Sequence, residues 1–188
     1  MMKNKLLFAV LLSFVSSSAY AHPGHTGVGF LAGFSHPFTG IDHVLVMLGL
    51  GLWAGKMGGA ARWQLPLTFV VIMAISAMFA FNAVFPLEMG LAVSVMAMGL
   101  LLALNLPIKR AFQLGLTAIF AMLHGLAHGA ELSLSDGFQT LIGMVFATAM
   151  LHIAGMAIAS QKNRMGSYVQ ATLALLTLIT GGYLLLAV

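Results

Sequence analysis

Six apolar stretches, each close to the 20 residues a helix needs to cross a bilayer, leave this chain little choice but to fold in lipid. The first runs over residues 27–55. The others span about 65–84, 87–106, 109–131, 137–160 and 166–187. Only 6% of the 188 residues are charged, against about 25% in a soluble domain. Such a chain cannot cover itself with polar surface. The expected fold is all-α, a polytopic membrane protein with six transmembrane helices forming one domain over residues 22–188. The connections are short and marked by Gly58-Gly59, Phe85-Pro86, Leu106-Pro107, Ser133 to Gly137 and Asn163 to Gly166. None is long enough to separate a second domain.

Residues 1–21 read as a cleaved signal peptide. Lys3 and Lys5 form a basic start, Leu6 to Val15 an apolar core, and Ala19-Tyr20-Ala21 a small-x-small cleavage site. The mature chain then begins His22-Pro-Gly-His25. A free α-amine beside two imidazoles can capture a metal ion outside the membrane, although two histidines also suit an ordinary polar tail.

The loop charges orient the spans. Lys56 and Arg62 follow the first span, Lys109 and Arg110 the third, Lys162 and Arg164 the fifth. The loops after spans two and four hold no Lys or Arg. Cytoplasmic loops collect Lys and Arg, so the mature N-terminus is expected in the periplasm and the chain in the inner membrane. The formal net charge of +4 is thus a topology signal, and no nucleic-acid partner is expected. The absence of cysteine removes thiolate metal sites and thiol catalysis. The fourteen methionines read mainly as packing and lipid contacts.

Against this background two polar stretches stand out. The first is His36-Pro-Phe-Thr-Gly-Ile-Asp42-His43, and the second is His124-Gly-Leu-Ala-His128-Gly-Ala-Glu131. Residues three and four apart share a helix face, so His124, His128 and Glu131 line one stripe. The topology puts both stretches toward the outer side. Imidazoles and carboxylates converging at one level suit a borderline divalent cation such as nickel, cobalt or zinc. Pro37 and Gly40 break the first span and are expected to push His36 out of helical geometry into a bend or re-entrant piece. The regular helix is expected over Thr39 to Ala54, with Thr39 as N-cap and Asp42 three residues later. On that reading Asp42 is either a ligand or a capping-box acid. Gly125 and Gly129, like Gly143 and Ala147, have the small-xxx-small spacing that admits a close helix neighbour. His152, past the membrane midpoint on span five with Met150 and Met156 nearby, is either an inner waypoint for an ion or a hydrogen-bonder to a helix bearing Asn82 or Asn105.

The paired stretches, in six spans behind a signal peptide, resemble the HupE/UreJ family over essentially the whole mature chain. The resemblance implies a membrane protein linked to maturation of nickel-dependent hydrogenase and urease, regarded as a nickel or cobalt transporter. Its motif histidines and acids fall on His36, Asp42, His43, His124, His128 and Glu131. Five residues separate His36 from Asp42, one more than in the histidine-x4-Asp-His signature of the broader nickel–cobalt permeases.

The function expected is uptake of Ni²⁺ or Co²⁺ as transported substrate, with no permanent cofactor and no catalytic residues. His22 and His25 serve as capture residues and His152 as a path residue. Nickel-enzyme maturation machinery is a candidate partner besides the metal ion and the bilayer. No ATP motor is encoded. The nearest approach to a Walker A loop, Gly49 to Gly55-Lys56, has five intervening residues where four are required. Three alternatives remain. An intramembrane zinc hydrolase would have to do without His-Glu-x-x-His, since Gly125 follows His124. A haem carrier would need axial ligands better separated than two histidines four apart. A metal-binding accessory protein would bind without transporting.

Overall fold

Pro37 and Gly40 divide the first apolar stretch into two helices. α1 (Phe30–Ser35) passes through a 3-10 turn, His36–Phe38, and an extended Gly40 (φ −110°, ψ 124°) into α2 (Ile41–Met57). The chain direction turns by 85° across this break. The structure is a computed structural model describing residues 29–79, 87–131 and 137–188, with backbone only at residues 131 and 137. Residues 1–21, His22, His25 and Asn82 lie outside the described residues. The remaining helices are α3 (Ala61–Met78), α4 (Leu87–Leu104), α5 (Arg110–Glu131), α6 (Gly137–Ser160) and α7 (Arg164–Ala187). Among the described residues no strand occurs. Five helices are long and apolar enough to cross a membrane, or six if the bent pair counts as one span. The chain is thus an all-helical, multi-pass membrane protein.

Three local expectations are corrected. His36 keeps helical dihedrals (φ −54°, ψ −50°), because Pro37 sits at the start of the 3-10 turn, where its missing N–H leaves no bond unmade. The break comes four residues later, at Gly40. Thr39 is not the N-cap of α2. Gly40 holds that position without a side-chain cap, and Thr39 Oγ1 donates to the His36 carbonyl at 2.7 Å. Asp42 therefore stands in the first turn of α2 and is not the acid of a Thr39 capping box. Finally, α3 starts at Ala61 rather than near residue 65. It leaves the Gly58-Gly59 turn, whose φ values of 68° and 52° suit glycine, and runs through Pro66. At the other end of the chain, the Asn163 side chain accepts from the Gly166 N–H at 2.7 Å, an ordinary N-cap for α7.

Lipid offers no hydrophobic drive for helix association, so close packing must hold the helices together. α2 is the hub and contacts α3, α4, α6 and α7. Its Leu45, Val46, Met47, Leu50, Leu52, Trp53 and Ala54 are buried. Glycines set the closest approaches. A Cβ on Gly51 would overlap the His152 carbonyl of α6, and one on Gly155 would overlap the Leu48 carbonyl of α2. α4 and α7 interlock the same way through Gly99 at Leu178 and Gly181 at Met96. Gly125 lets α5 rest on Met73 and Ser76 of α3, and Gly143 lets α6 receive Phe30 of α1. The register along these contacts makes α2 and α6 parallel and α4 and α7 antiparallel. An alternating up-and-down path requires that arrangement. The outward faces carry exposed Leu31, Phe79, Phe112, Phe138, Ile153 and Leu186, the side chains a lipid solvent accepts.

The glycine contacts predict a contrast. Gly51→Val forces α2 away from α6 and should cost about 1–3 kcal/mol or more, lowering the Tm in detergent. Gly182→Ala, where a Cβ meets nothing within 4 Å, should leave the Tm unchanged.

Candidate functional site

The 3-10 turn and the first turn of α2 bring His36 and His43 over the last two turns of α5. There His124 and His128 are fully buried. The four rings pack into one cluster. His36 and His128 have ring centroids 4.8 Å apart, His43 and His128 4.7 Å, His43 and His124 5.5 Å, and His36 and His43 6.3 Å. Four of the six residues expected to share a site therefore meet, from segments more than 80 positions apart in the chain. Asp42 joins through His43. Glu131 is the last residue of α5, and its side chain lies outside the description. Among the described residues, no three His, Asp or Glu side chains are already set around a point as a bound ion requires. The rings contact one another instead.

Hydrogen bonds fix the tautomer of two of these rings. His124 Nδ1 lies 2.9 Å from the Phe120 carbonyl one turn below. A carbonyl only accepts, so Nδ1 carries the proton and Nε2 keeps its lone pair. His43 Nδ1 lies 3.3 Å from Asp42 Oδ1. The carboxylate likewise holds the proton on Nδ1 and leaves Nε2 as the acceptor. Both Nε2 atoms are buried without a hydrogen-bond partner. A buried polar atom left unpaired costs about 1–3 kcal/mol, so these two lone pairs are kept at an energetic disadvantage. A histidine whose other nitrogen is held by a carboxylate or a carbonyl is the usual arrangement of a metal-ligating imidazole. His36 Nε2 and His128 Nδ1 hydrogen-bond each other at 2.9 Å, which ties the 3-10 turn to α5.

Gly40 belongs to this construction, although sequence reasoning valued it only as a helix breaker. A Cβ there would stand 2.6 Å from Asp42 Oδ1 and 2.7 Å from His43 Nδ1. The Asp42–His43 pair folds back into the space that glycine leaves. Phe69 of α3 was also missed. Its buried ring touches His124 at 5.8 Å and His152 at 5.2 Å between centroids. His152 itself, on α6, is fully buried and packs against the Phe69 ring. Neither of its ring nitrogens has a hydrogen-bond partner, so it is not bonded to Asn105. Met150 is exposed and faces away. A polar residue on the inward stripe of α5 was overlooked as well. Thr117 lies seven positions before His124, two turns along the same face, and could have been read from that spacing.

The sequence model of the family described as HupE / UreJ protein matches residues 10–184. The chain belongs to the HupE/UreJ family. A relative within it, Protein HupE of Rhizobium leguminosarum bv. viciae, is 37% identical over 149 residues, covering 78% of this chain and 78% of its own. No solved structure matches. The HupE/UreJ match takes in both polar stretches and every helix that contributes a ring to the cluster.

The tautomers are directly measurable. In ¹⁵N-histidine NMR of the metal-free protein, His124 and His43 should show protonated Nδ1 and unprotonated Nε2. Asp42→Asn should convert His43 to a mixture and leave His124 unchanged.

Proposed function

We propose that the protein carries Ni²⁺ or Co²⁺ inward across the bacterial inner membrane and supplies metalloenzyme maturation. The observation that carries this reading is the pair of Nε2 lone pairs on His43 and His124. Each is buried without a hydrogen-bond partner while Nδ1 is held by Asp42 or the Phe120 carbonyl. Neutral imidazole is the form that binds a metal ion. Membership in the HupE/UreJ family, associated with nickel and cobalt uptake for hydrogenase and urease, supports the same substrate class.

In this mechanism His36, His43, His124 and His128 exchange ring–ring contacts for metal contacts as the ion sheds water. Asp42 orients His43 and lends negative charge to the site. Glu131, at the end of α5, completes the ligand set from the outer side, with His22 and His25 capturing the ion before it arrives. Thiolates are absent and the donors are imidazole and carboxylate, which favours borderline ions over soft monovalent copper. The membrane potential supplies about 2.3 kcal/mol per charge per 100 mV. A divalent ion thus gains about 4.6 kcal/mol, more than a thousandfold in accumulation, without an ATP motor or a resident cofactor.

The test is uptake of ⁶³Ni²⁺ and ⁵⁷Co²⁺ by cells lacking their own high-affinity importers. Wild type should accumulate one or both ions, and the stronger signal names the substrate. His124→Ala and Asp42→Asn, at equal membrane abundance, should reduce uptake at least tenfold. Gly40→Ala should lower it severalfold while keeping the wild-type Tm, because only side-chain ends must move. No uptake by wild type, or normal uptake by both His124→Ala and Asp42→Asn, would sink the reading. Zinc content and hydrolase activity of purified protein would then be the next assays.

A further inference from the structure

We infer that the protein has a second, inner station for the ion at His152, and that the Phe69 ring is the partition between it and the outer histidine cluster. The inference deepens the proposed function and rests on it. His152 lies on α6 in the packed interior, fully buried, with both ring nitrogens unpartnered. A neutral imidazole always offers one donor and one acceptor, and a core normally satisfies both. Packing does not require a histidine here, since an apolar side chain of similar size would fill the space without stranding two nitrogens. The unpaired ring marks a place where a partner arrives and leaves.

The location fits a relay. Phe69 is in ring contact with both His124 of the cluster and His152. It is fully buried. In this relay an ion handed from His124 to His152 passes the ring that touches both. The backbone is arranged to admit His152 to the interior. Gly51 of α2 lies directly against the His152 carbonyl, so α6 is drawn inward at this turn. Farther along, other unpaired polar atoms occur on the same set of helices. They are Thr117 Oγ1 on α5, Gln64 Oε1 on α3 and Trp53 Nε1 on α2. The first two can receive a cation through oxygen.

The partition also suits selectivity. An aromatic ring between two imidazole stations blocks a hydrated ion. It passes only an ion that binds nitrogen strongly enough to be handed across. Mg²⁺ dehydrates reluctantly and prefers oxygen, so it should stop at Phe69.

The experiment compares wild type, His152→Leu, Phe69→Ala and His124→Ala. ⁶³Ni²⁺ (or ⁵⁷Co²⁺) uptake in cells is measured beside equilibrium metal binding and Tm of the purified proteins. His152→Leu should lose at least tenfold in uptake, keep metal binding at the outer cluster, and show a Tm equal to or above wild type. A merely structural histidine would instead lower the Tm. Phe69→Ala should admit Mg²⁺ at a rate several times that of wild type. His124→Ala should lose both binding and uptake. Wild-type uptake by His152→Leu, or loss of its uptake only together with its Tm, overturns the inner station. Unchanged Mg²⁺ exclusion in Phe69→Ala overturns the partition. In those cases a defective His124→Ala leaves the transport reading standing, whereas failure of wild type to take up either metal overturns both.

Discussion

Inside a bilayer a polar side chain finds its partner within the protein or goes without. That constraint explains most of what is arranged around α2. The backbone satisfies itself by forming helices, and glycines then let the helices approach until carbonyls and side chains touch. Gly51 and Gly155 lock α2 to α6, Gly99 and Gly181 lock α4 to α7, and Gly125 sets α5 on α3. Only with that scaffold in place can the 3-10 turn and the start of α2 lay His36 and His43 across the end of α5. The cluster is therefore a product of helix packing as much as of the two polar stretches that furnish its rings.

The site is also electrostatically asymmetric. Some of its ring nitrogens are bonded to each other, to a carboxylate or to a carbonyl. The Nε2 atoms of His43 and His124 have no hydrogen-bond partner, nor has either ring nitrogen of His152, which packs against Phe69. Satisfied groups stabilise a fold, whereas unsatisfied ones withhold stability that a ligand can return.

The spans, the break in the first of them and the membership of the cluster were largely legible in the sequence. Long apolar runs in lipid have few folds available, and a four-residue spacing of His124 and His128 has only one geometric meaning on a helix. Less legible was whatever depended on two segments meeting. Phe69 looks like any apolar residue until α3 is placed between His124 and His152. Gly40 reads as a helix breaker until its missing Cβ proves to be the space occupied by Asp42 and His43. α3 begins at Ala61, ahead of the apolar run, and holds Pro66 at its sixth position. His36 keeps helical dihedrals because it opens a 3-10 turn in which Pro37 fits, and local preference does not distinguish such a turn from a break.

The hydrogen bond between His36 and His128 spans 92 positions of the chain and has a kinetic meaning. Any ion that takes one of those nitrogens must first open it, so the closed pair competes for the same lone pair. A hydrogen bond worth about 1 kcal/mol net weakens apparent affinity by roughly fivefold. Reclosing of the pair then helps to expel the ion. A storage site would gain nothing from such a spring, whereas a site that turned over would gain a shorter residence time.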